Sequence, residues 1–195
     1  MNKELFFETI KINDGVIYNI EYHQERFKRT SSLHVNLQDY INPPAKGFYR
    51  CKLIYNAEEI KGVKFFSYKK KKIHSIFLVE CDDFEYSKKY LDRSKFDLFL
   101  NQQEADEILI IKNGFLTDTS IANIAFYDGE KWITPQQPLL EGTTRKRYLD
   151  KGFIYEENIT LDMIKKFSKI AFLNAMIDFD IMSIKNSLKD RIIVK

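Results

Sequence analysis

The sequence contains few residues that break regular structure and few that cross-link a chain or bind metals. Its 195 residues include only 7 Gly, 4 Pro, 2 Cys and 3 His. The scarcity of Gly and Pro, without any low-complexity stretch, excludes a largely disordered chain. Apolar residues make up 44% and aromatic residues 14% of the chain. That is enough to build a core in one compact domain or in two small ones.

Cysteine and histidine usage gives no sign of disulfides or of a metal site. Cys51 and Cys81 both lie in apolar, strand-like runs, which predicts two buried free thiols in a reducing compartment. His23, His34 and His74 are scattered and lack partners at metal-ligand spacing, so no metal is expected. The N-terminus has no long apolar segment, and no stretch is long enough to span a membrane. The sequence therefore predicts a soluble, cytoplasmic protein without a membrane partner.

The charge is nearly balanced, with 31 basic and 28 acidic residues and a net charge of +3. Such a mixed surface argues against dedicated nucleic-acid binding. The one basic cluster is the run of four lysines at 69–72, between two strand-like segments. It is predicted to be a solvated hairpin tip rather than a polyanion site.

The hydrophobic pattern predicts an α+β fold. A hairpin turn is expected at 13–15, a helix follows from about residue 21, and three strands lie between 47 and 81, so residues 4–82 are expected to form an antiparallel sheet with one helix. Beyond residue 92 the pattern predicts a helix at 93–103, a strand at 107–112, a hairpin, and a helix that begins near Thr143 and ends at Gly152. The predicted boundary gives a small N-terminal α+β domain, 1–84, and a larger C-terminal domain, 85–195.

An acid, two hydroxyls and an amide introduce one apolar strand. In "LTDTSIANIAFYDG", which begins at Leu116, these are the side chains of Asp118, Thr119, Ser120 and Asn123. Turn chemistry explains them if they bind the backbone of their own loop. A polar ligand beside the strand explains them equally well, and the pattern alone leaves both interpretations open.

Three further features of the sequence would each be unremarkable if considered alone. Lys89, in "KKYLDR", reads as a surface lysine, and Arg26, three residues after His23 on one helix face, reads as a solvated arginine. Thr143 follows Gly142 at a helix start, where backbone N–H groups and the helix dipole favour an anion. Together with Asp118, these features supply an acid for a ring nitrogen, a lysine for an imine and donors for a phosphate. These are the groups that pyridoxal phosphate requires. Spacing alone does not select this ligand.

The ordered blocks of the chain resemble a known family. "FFETIKINDGVIYNIEYHQER", "KKYLDRSKFD", "ADEILIIKNGFLTDTSIANIAF", "ITPQQPLLEGTTR" and "FLNAMID" cover nearly the whole sequence. Together they resemble the fold-type IV, or aminotransferase class IV, pyridoxal-phosphate enzymes, and look closest to 4-amino-4-deoxychorismate lyase-like members. The resemblance implies a small sheet-and-helix domain, a larger β-barrel-like domain with helices that carries the cofactor lysine, and a homodimer.

The resemblance also implies roles for individual residues. The family's lysine–two residues–Asn/Asp–Arg pattern selects Lys89, rather than Lys88, as the Schiff-base and catalytic lysine, and its acid at the pyridine nitrogen corresponds to Asp118. The arginine of its "HxxR" motif, which binds the phosphate, corresponds to Arg26. The other cofactor-binding positions are Thr119, Ser120, Thr143, Thr144 and Asn174, and the substrate-binding positions are Arg50 and Ala175. Two departures stand out: the family's acid is usually Glu, and this sequence begins almost at the first conserved strand.

The function implied is conversion of 4-amino-4-deoxychorismate to 4-aminobenzoate and pyruvate, a step of folate precursor synthesis. One alternative is a class IV aminotransferase that acts on branched-chain or D-amino acids. Another is a non-catalytic pyridoxal-phosphate-binding homologue. The only other partners expected are a small-molecule amino substrate and a second copy of the chain.

Overall fold

The computed structural model describes residues 4–188 and 191–194. It divides into two compact units, which are Met1–Lys70 with Lys88–Asp92, and Lys71–Ser87 with Arg93–Lys195. The helices are α1 (Ile20–Thr30), α2 (Ser94–Gln102) and α3 (Thr143–Asp150), with 3-10 helices at Leu37–Tyr40 and Leu161–Lys166. The strands are β1 (Phe6–Asn13), β2 (Val16–Ile17), β3 (Phe48–Tyr55), β4 (Ile60–Ser67), β5 (Ser75–Glu80), β6 (Glu107–Lys112), β7 (Phe115–Thr119), β8 (Asn123–Tyr127), β9 (Trp132–Pro135), β10 (Ile154–Glu157), β11 (Lys169–Asn174), β12 (Asp178–Leu188) and β13 (Arg191–Val194).

The first unit is an antiparallel sheet in the order β2-β1-β3-β4, with α1 packed on one face. The predicted hairpin is present, and Asp14 and Gly15 adopt the positive φ angles that its tight turn requires. Alternate residues of β1 and β3 bury their side chains against Phe27 of α1, and this core contains Phe6, Ile10, Ile12, Cys51, Leu53 and Tyr55. This alternation leaves the intervening residues of each strand on the opposite face.

The second unit is a curled nine-stranded sheet in the order β10-β9-β8-β11-β12-β13-β5-β6-β7. The pairs β5/β6 and β9/β10 are parallel, and the other pairs are antiparallel. Its core is built from long apolar side chains of β6, β8 and β11, among them Leu109, Ile124, Phe126, Ile170 and Phe172. The predicted α+β class, with a small sheet-and-helix part and a larger barrel-like part, is confirmed.

Several local predictions differ from the structure. Strand β5 pairs with β6 and β13 in the second sheet, so the prediction that residues 4–82 form one sheet was wrong. The lysine run at 69–72 therefore joins strands of different sheets and is not a hairpin tip. Cys51 is buried but Cys81 is only half-buried, and both are free thiols. These strands read as one meander because apolar periodicity shows that a strand exists but not which strand it pairs with.

The predicted domain boundary at 84/85 also differs from the division into compact units. Residues 71–87 belong to the second unit, whereas the segment that carries Lys89 belongs to the first. Backbone hydrogen bonds fix this segment beside β1, because Phe7 N–H donates to the Lys89 carbonyl and Leu91 N–H donates to the Leu5 carbonyl. No helix in the described part of the chain has both the length and the apolar character needed to cross a membrane.

Candidate active site

A buried ion pair joins α1 to β1 in the first unit. Arg26 donates to Glu8 through Nε, at 2.9 Å from Oε1, and through Nη2 to Oε2. His23 Nδ1 lies 2.6 Å from Glu8 Oε2, and all three side chains are buried. The sequence suggested that Arg26, taken alone, was solvated, and the structure corrects this. Arg26 and His23 face the sheet because their side chains bond to the buried Glu8 carboxylate.

The charges of this cluster are mutually stabilised. Burial opposes ionisation of Glu8, but the charge of Arg26 and the hydrogen bonds from His23 and Arg26 outweigh it and lower the Glu8 pKa to about 2. Burial also lowers the pKa of His23, despite the opposing effect of Glu8, so the imidazole is neutral at pH 7 and donates through Nδ1–H. The cluster therefore holds one carboxylate and one guanidinium in fixed orientation.

Lys89 and Lys88 have different surroundings although they are adjacent. The Lys89 Nζ lies 4.8 Å from the centroid of the Phe7 ring, whereas the Lys88 Nζ lies 5.4 Å from that of Phe6. Phe6 belongs to the core beneath α1 and Phe7 to the other face of the sheet. The positive charge of Lys89 also contributes to the lowered pKa of His23. The two lysines are thus structurally distinguishable, and Lys89 is the one whose charge acts on the His23 pKa.

Asp118 is buried at the second unit's strand β7 and does not form a turn in its own loop. Its Oδ1 accepts from Asn123 Nδ2 at 2.7 Å, and its Oδ2 accepts from the Leu140 backbone N–H at 2.9 Å. The turn chemistry belongs to Thr119, whose Oγ1 donates to the Ala122 carbonyl and accepts from the Ala122 N–H. The two interpretations of the "TDTS" stretch therefore apply to different residues. Thr119 bonds to the backbone of its own loop, whereas Asp118 bonds to groups outside that loop.

Burial makes ionisation of the Asp118 carboxyl group unfavourable. Burial raises its pKa to about 6, although the hydrogen bonds from Leu140 and Asn123 and the charge of Arg145 act in the opposite direction. A buried carboxylate in this state is stabilised by any further cationic donor that reaches it. A protonated ring nitrogen is such a donor.

Asn123 connects Asp118 to the loop that precedes α3. Besides its bond to Asp118, its Nδ2 donates to the Leu140 carbonyl at 2.8 Å. Its Oδ1 packs directly on Gly142, where an ideal Cβ would lie 1.9 Å from that oxygen. The glycine φ is −71°, which any residue adopts, so the close approach of Asn123 is what requires glycine here.

The N-terminus of α3 begins with the buried residues Thr143 and Thr144. Gly142 precedes them as the N-cap residue and has no side chain with which to cap the helix. The N–H groups of a first helical turn have no partners within the helix, and the helix dipole favours an anion beside them. The phosphate position predicted from the sequence therefore coincides with a helix N-terminus, and its role in anion binding stays a prediction.

Ser120 lies in the loop between β7 and β8, where the buried Glu107 and the half-buried Arg93 bond to its backbone. Its N–H donates to Glu107 Oε1 at 3.1 Å, and its carbonyl accepts from Arg93 Nη2 at 2.8 Å. Its Oγ is buried and has no hydrogen-bond partner among the described residues. A buried hydroxyl without a hydrogen-bond partner costs folding free energy, which is consistent with a bound ligand that supplies the missing partner.

The remaining predicted positions have their own contacts. Asn174 shapes the turn after β11, since its Oδ1 accepts from the N–H groups of Met176 and Ile177 and its Nδ2 donates to the Ile121 carbonyl. Ala175 follows it and is half-buried. Arg50 lies in the first unit, exposed on β3, with its guanidinium 5.2 Å from the Phe66 ring centroid.

Sequence reasoning missed three buried charged residues. Glu8 occupies a core-facing position of an alternating strand, where a charge is unexpected, and this is the signal that was available. Glu107 begins β6 and binds the Ser120 loop. Arg145, in "GTTR", donates through Nη2 to the Pro135 carbonyl and to Glu156 while its charge acts on Asp118.

The comparisons with known proteins identify the family of the chain. The family model for amino-transferase class IV matches residues 87–186. An uncharacterised protein of Haemophilus influenzae is 42% identical over 182 residues, which cover 87% of this chain and 96% of that protein. The chain therefore belongs to the amino-transferase class IV family and is an enzyme of that class, and the resemblance to the fold-type IV pyridoxal-phosphate enzymes is confirmed.

Solved structures share the fold over most of the chain. A crystal structure from Haemophilus somnus, provisionally described as a 4-amino-4-deoxychorismate lyase, has a TM-score of 0.81 at 34% identity and covers 90% of this chain and 98% of that one. A hypothetical aminotransferase from Mycobacterium tuberculosis in its pyridoxal-phosphate-bound form has a TM-score of 0.71 at 16% identity, covering 91% and 80%. A Schizosaccharomyces pombe protein provisionally described as an aminodeoxychorismate lyase is 36% identical over 75 residues, which cover 36% of this chain and 32% of that protein.

Proposed function

We propose that the chain binds pyridoxal phosphate and converts 4-amino-4-deoxychorismate to 4-aminobenzoate and pyruvate. The observation that carries the cofactor is the buried Asp118, whose raised pKa and fixed orientation suit a protonated ring nitrogen. The buried Ser120 Oγ without a partner and the α3 N-terminus fit a ligand that carries several polar groups. The lyase activity is favoured by the 34% identical match to the Haemophilus somnus protein, which covers 90% of this chain and 98% of that one.

Each residue has a defined task in this proposal. Thr143 and Thr144 bind the phosphate with the first-turn N–H groups of α3, and Arg26 adds a charge-assisted bond. In this proposal the ion pair with Glu8 holds the Arg26 guanidinium in a fixed orientation. Thr119 and Asn174 hold the loops that face the ligand. Ser120 donates its hydroxyl to the ligand, and Ala175 and Arg50 contact the substrate.

When bound, pyridoxal phosphate supplies an electron sink for the bond that breaks at the substrate. Asp118 stays ionised beside the ring nitrogen and keeps that nitrogen protonated. Lys89 would hold the cofactor through its amine, and that amine would remove a proton at the carbon that bears the substrate amino group. In the lyase reaction the substrate's atoms are divided between 4-aminobenzoate and pyruvate, and no other reactant is consumed.

Class IV aminotransferase activity is the second candidate, because the family model that matches carries that name. In that reaction the Lys89 amine would again move the proton from the substrate carbon that bears the amino group, water would be consumed as the keto acid leaves, and the amino group would pass to a second keto acid. The deciding experiment incubates the cofactor-loaded protein with 4-amino-4-deoxychorismate, and in parallel with branched-chain or D-amino acids and a keto acid. We expect 4-aminobenzoate and pyruvate in equal amounts, and amino-group transfer without 4-aminobenzoate would contradict the lyase proposal.

Lys89→Ala and Lys88→Ala are the matched variants for this assay. The first removes the amine that lies beside Phe7, and the second removes the one beside Phe6. We expect Lys89→Ala to abolish turnover and Lys88→Ala to retain it. Borohydride reduction and peptide mapping should place the cofactor label on Lys89, and a label on Lys88 would overturn the assignment.

We also propose that the active form is a cytoplasmic homodimer that serves folate precursor synthesis. The support for the dimer is the habit of the family, together with the thin four-stranded sheet of the first unit. Light scattering at micromolar concentration is expected to give twice the mass of the chain. A monomeric mass in an active preparation would contradict it.

A further inference from the structure

Two charged side chains bond to the backbone of Ser120, one to each of its polar groups. The Ser120 N–H donates to Glu107 Oε1 at 3.1 Å, and the Ser120 carbonyl accepts from Arg93 Nη2 at 2.8 Å. Hydrogen bonds to ionised groups are about twice as strong as those between neutral groups. The two bonds therefore fix the backbone of Ser120 in one orientation, and Arg93 and Glu107 are called the serine clamp below.

Both residues of the serine clamp are themselves supported. Arg93 is half-buried at the N-cap of α2, and its guanidinium lies 5.2 Å from the centroid of the Phe96 ring. Glu107 is fully buried, and its Oε1 also accepts from the Ile108 N–H at 3.0 Å. Its Oε2 lies 3.2 Å from Lys71 Nζ. Lys71 belongs to the lysine run at 69–72, so this run supplies a cation that offsets the buried charge.

The hydroxyl of Ser120 differs from that of Thr119 in the same loop. Thr119 Oγ1 donates to the Ala122 carbonyl and accepts from the Ala122 N–H. Ser120 is equally buried, but its Oγ has no hydrogen-bond partner in the described part of the chain. Such a hydroxyl costs folding free energy. The serine clamp thus holds in place a side chain that is unfavourable until a ligand binds it, and such conflicts are expected at functional sites.

We propose that Arg93 and Glu107 are positioning residues that present the Ser120 hydroxyl to bound pyridoxal phosphate. Neither residue contacts the cofactor in this proposal, and each acts through Ser120. Asp118, which is proposed to bind the ring nitrogen, lies only two residues before Ser120 in the chain. This inference rests on the proposed function, in which Ser120 donates its hydroxyl to the ligand.

The test is a double-mutant cycle on cofactor binding. Cofactor-free wild type, Ser120→Ala, Arg93→Met and the double variant are titrated with pyridoxal phosphate, and protein fluorescence gives the dissociation constant. Each single change should raise this constant about fivefold, the scale of one hydrogen bond. The double variant should show about the same rise, because both changes remove one hydroxyl contact. Rises that multiply to about 25-fold, or no rise in Arg93→Met, would overturn the proposal.

Two further variants separate positioning from general destabilisation. Arg93→Lys keeps a cationic donor and should restore most of the lost affinity. Lys112→Met is the matched control, since Lys112 is half-buried in the same unit and its Nζ donates to the Phe84 carbonyl at 3.1 Å. It also removes a cation that bonds to a loop carbonyl, so it should lower stability and leave the dissociation constant unchanged. An equal loss of affinity in Lys112→Met would contradict the role of Arg93.

The other half of the serine clamp is tested with a conservative pair. Glu107→Gln keeps an oxygen that accepts from the Ser120 N–H, whereas Glu107→Met removes it. The first should bind pyridoxal phosphate within about twofold of wild type, and the second should bind it about fivefold more weakly. Equal constants in the two variants would show that Glu107 does not position Ser120. If Glu107→Met does not fold, the cycle with Arg93 decides.

Urea unfolding of the cofactor-free protein gives a readout that involves no ligand. Ser120→Ala removes a buried hydroxyl without a partner, so the free energy of unfolding should rise. A hydroxyl with a structural role would be lost instead, and stability would fall. A fall in stability with an unchanged dissociation constant would overturn the proposal.

The outcomes also separate this inference from the proposed lyase activity, because cofactor binding is measured without substrate. If 4-aminobenzoate forms but the effects of Arg93→Met and Ser120→Ala multiply, the serine clamp is wrong and the lyase stands. If these effects do not add and no 4-aminobenzoate forms, the serine clamp stands and the lyase is wrong.

Discussion

The side-chain oxygen of Asn123 occupies the space that a Cβ at Gly142 would need. An ideal Cβ at that position would lie 1.9 Å from Asn123 Oδ1, far inside contact distance. The same asparagine binds Asp118 and the Leu140 carbonyl through Nδ2. Asn123 therefore fixes the acid and the start of α3 relative to each other, and Gly142 is the residue that permits it.

Gly142→Ala should destabilise the protein by about 1–3 kcal/mol, the usual cost of an overpacked site. Its backbone φ of −71° suits alanine, so the cost comes from the collision and not from backbone strain. Asn123→Ala removes the colliding atoms, and the double variant should lose less than the sum of the single changes. Urea unfolding of the four proteins measures this coupling, and additive losses would show that the two residues do not interact.

Arg26 is expected to bind the cofactor phosphate as well as Glu8. Arg26→Ala alone would leave a buried carboxylate without its guanidinium, so the comparison uses Glu8→Gln with and without Arg26→Ala. Loss of Arg26 should weaken pyridoxal phosphate binding by about 1.5–3 kcal/mol. Pyridoxal, which lacks the phosphate, is the control ligand: if its affinity falls equally, Arg26 is a structural residue only.

Asp118 should make the cofactor-free protein more stable as the pH falls from 7 towards 4. Its folded pKa of about 6 lies above the reference value of 3.8, so the folded state binds the proton more tightly than the unfolded state. The destabilisation by the ionised form is complete above pH 6 and disappears near 3.8. The full difference corresponds to about 3 kcal/mol.

The measurement is urea unfolding of the cofactor-free wild type and of Asp118→Asn across this pH range. Glu8 and His23 titrate in both proteins, so their contributions cancel in the difference. Parallel stability curves for the two proteins would contradict the prediction.

The elements of the fold could be predicted from the sequence better than their pairing. The alternation of β1 and the turn residues Asp14 and Gly15 are local signals, and the hairpin appears where they predict it. The partner of β5 depends on contacts with β6 and β13, which are distant in the sequence. No local periodicity encodes that choice.

The candidate site could likewise be predicted from the sequence only in part. Lys89 and Asp118 could be selected because each lies in a block that resembles the family. The bonds of Asp118 to Leu140 and of Arg26 to Glu8 join residues far apart in sequence, so spacing could not reveal them. Turn chemistry was one of two interpretations that the pattern left open for residues 118–123, and the structure shows that Thr119 supplies it.

Asp118→Asn should leave the cofactor bound and lower turnover. The phosphate is bound elsewhere, by the α3 N-terminus and Arg26 in our proposal, so affinity should persist. The amide has no negative charge to keep the ring nitrogen protonated, and the electron sink weakens.

We expect turnover to fall about 10²-fold, the scale on which removal of one preorganised polar group acts. A purely structural Asp118 predicts a different result. Both of its oxygens accept from N–H donors, so asparagine must turn its own NH₂ towards one of them. That loss would lower stability without a specific effect on turnover.

The measurement is therefore kcat in cofactor-saturated protein alongside its free energy of unfolding. Asn123→Ala is the matched comparison, since it removes one of the same hydrogen bonds but keeps the carboxylate. If the charge is what matters, Asp118→Asn should lose far more kcat than Asn123→Ala at similar stability. Equal kcat losses in the two variants would return Asp118 to the structural role.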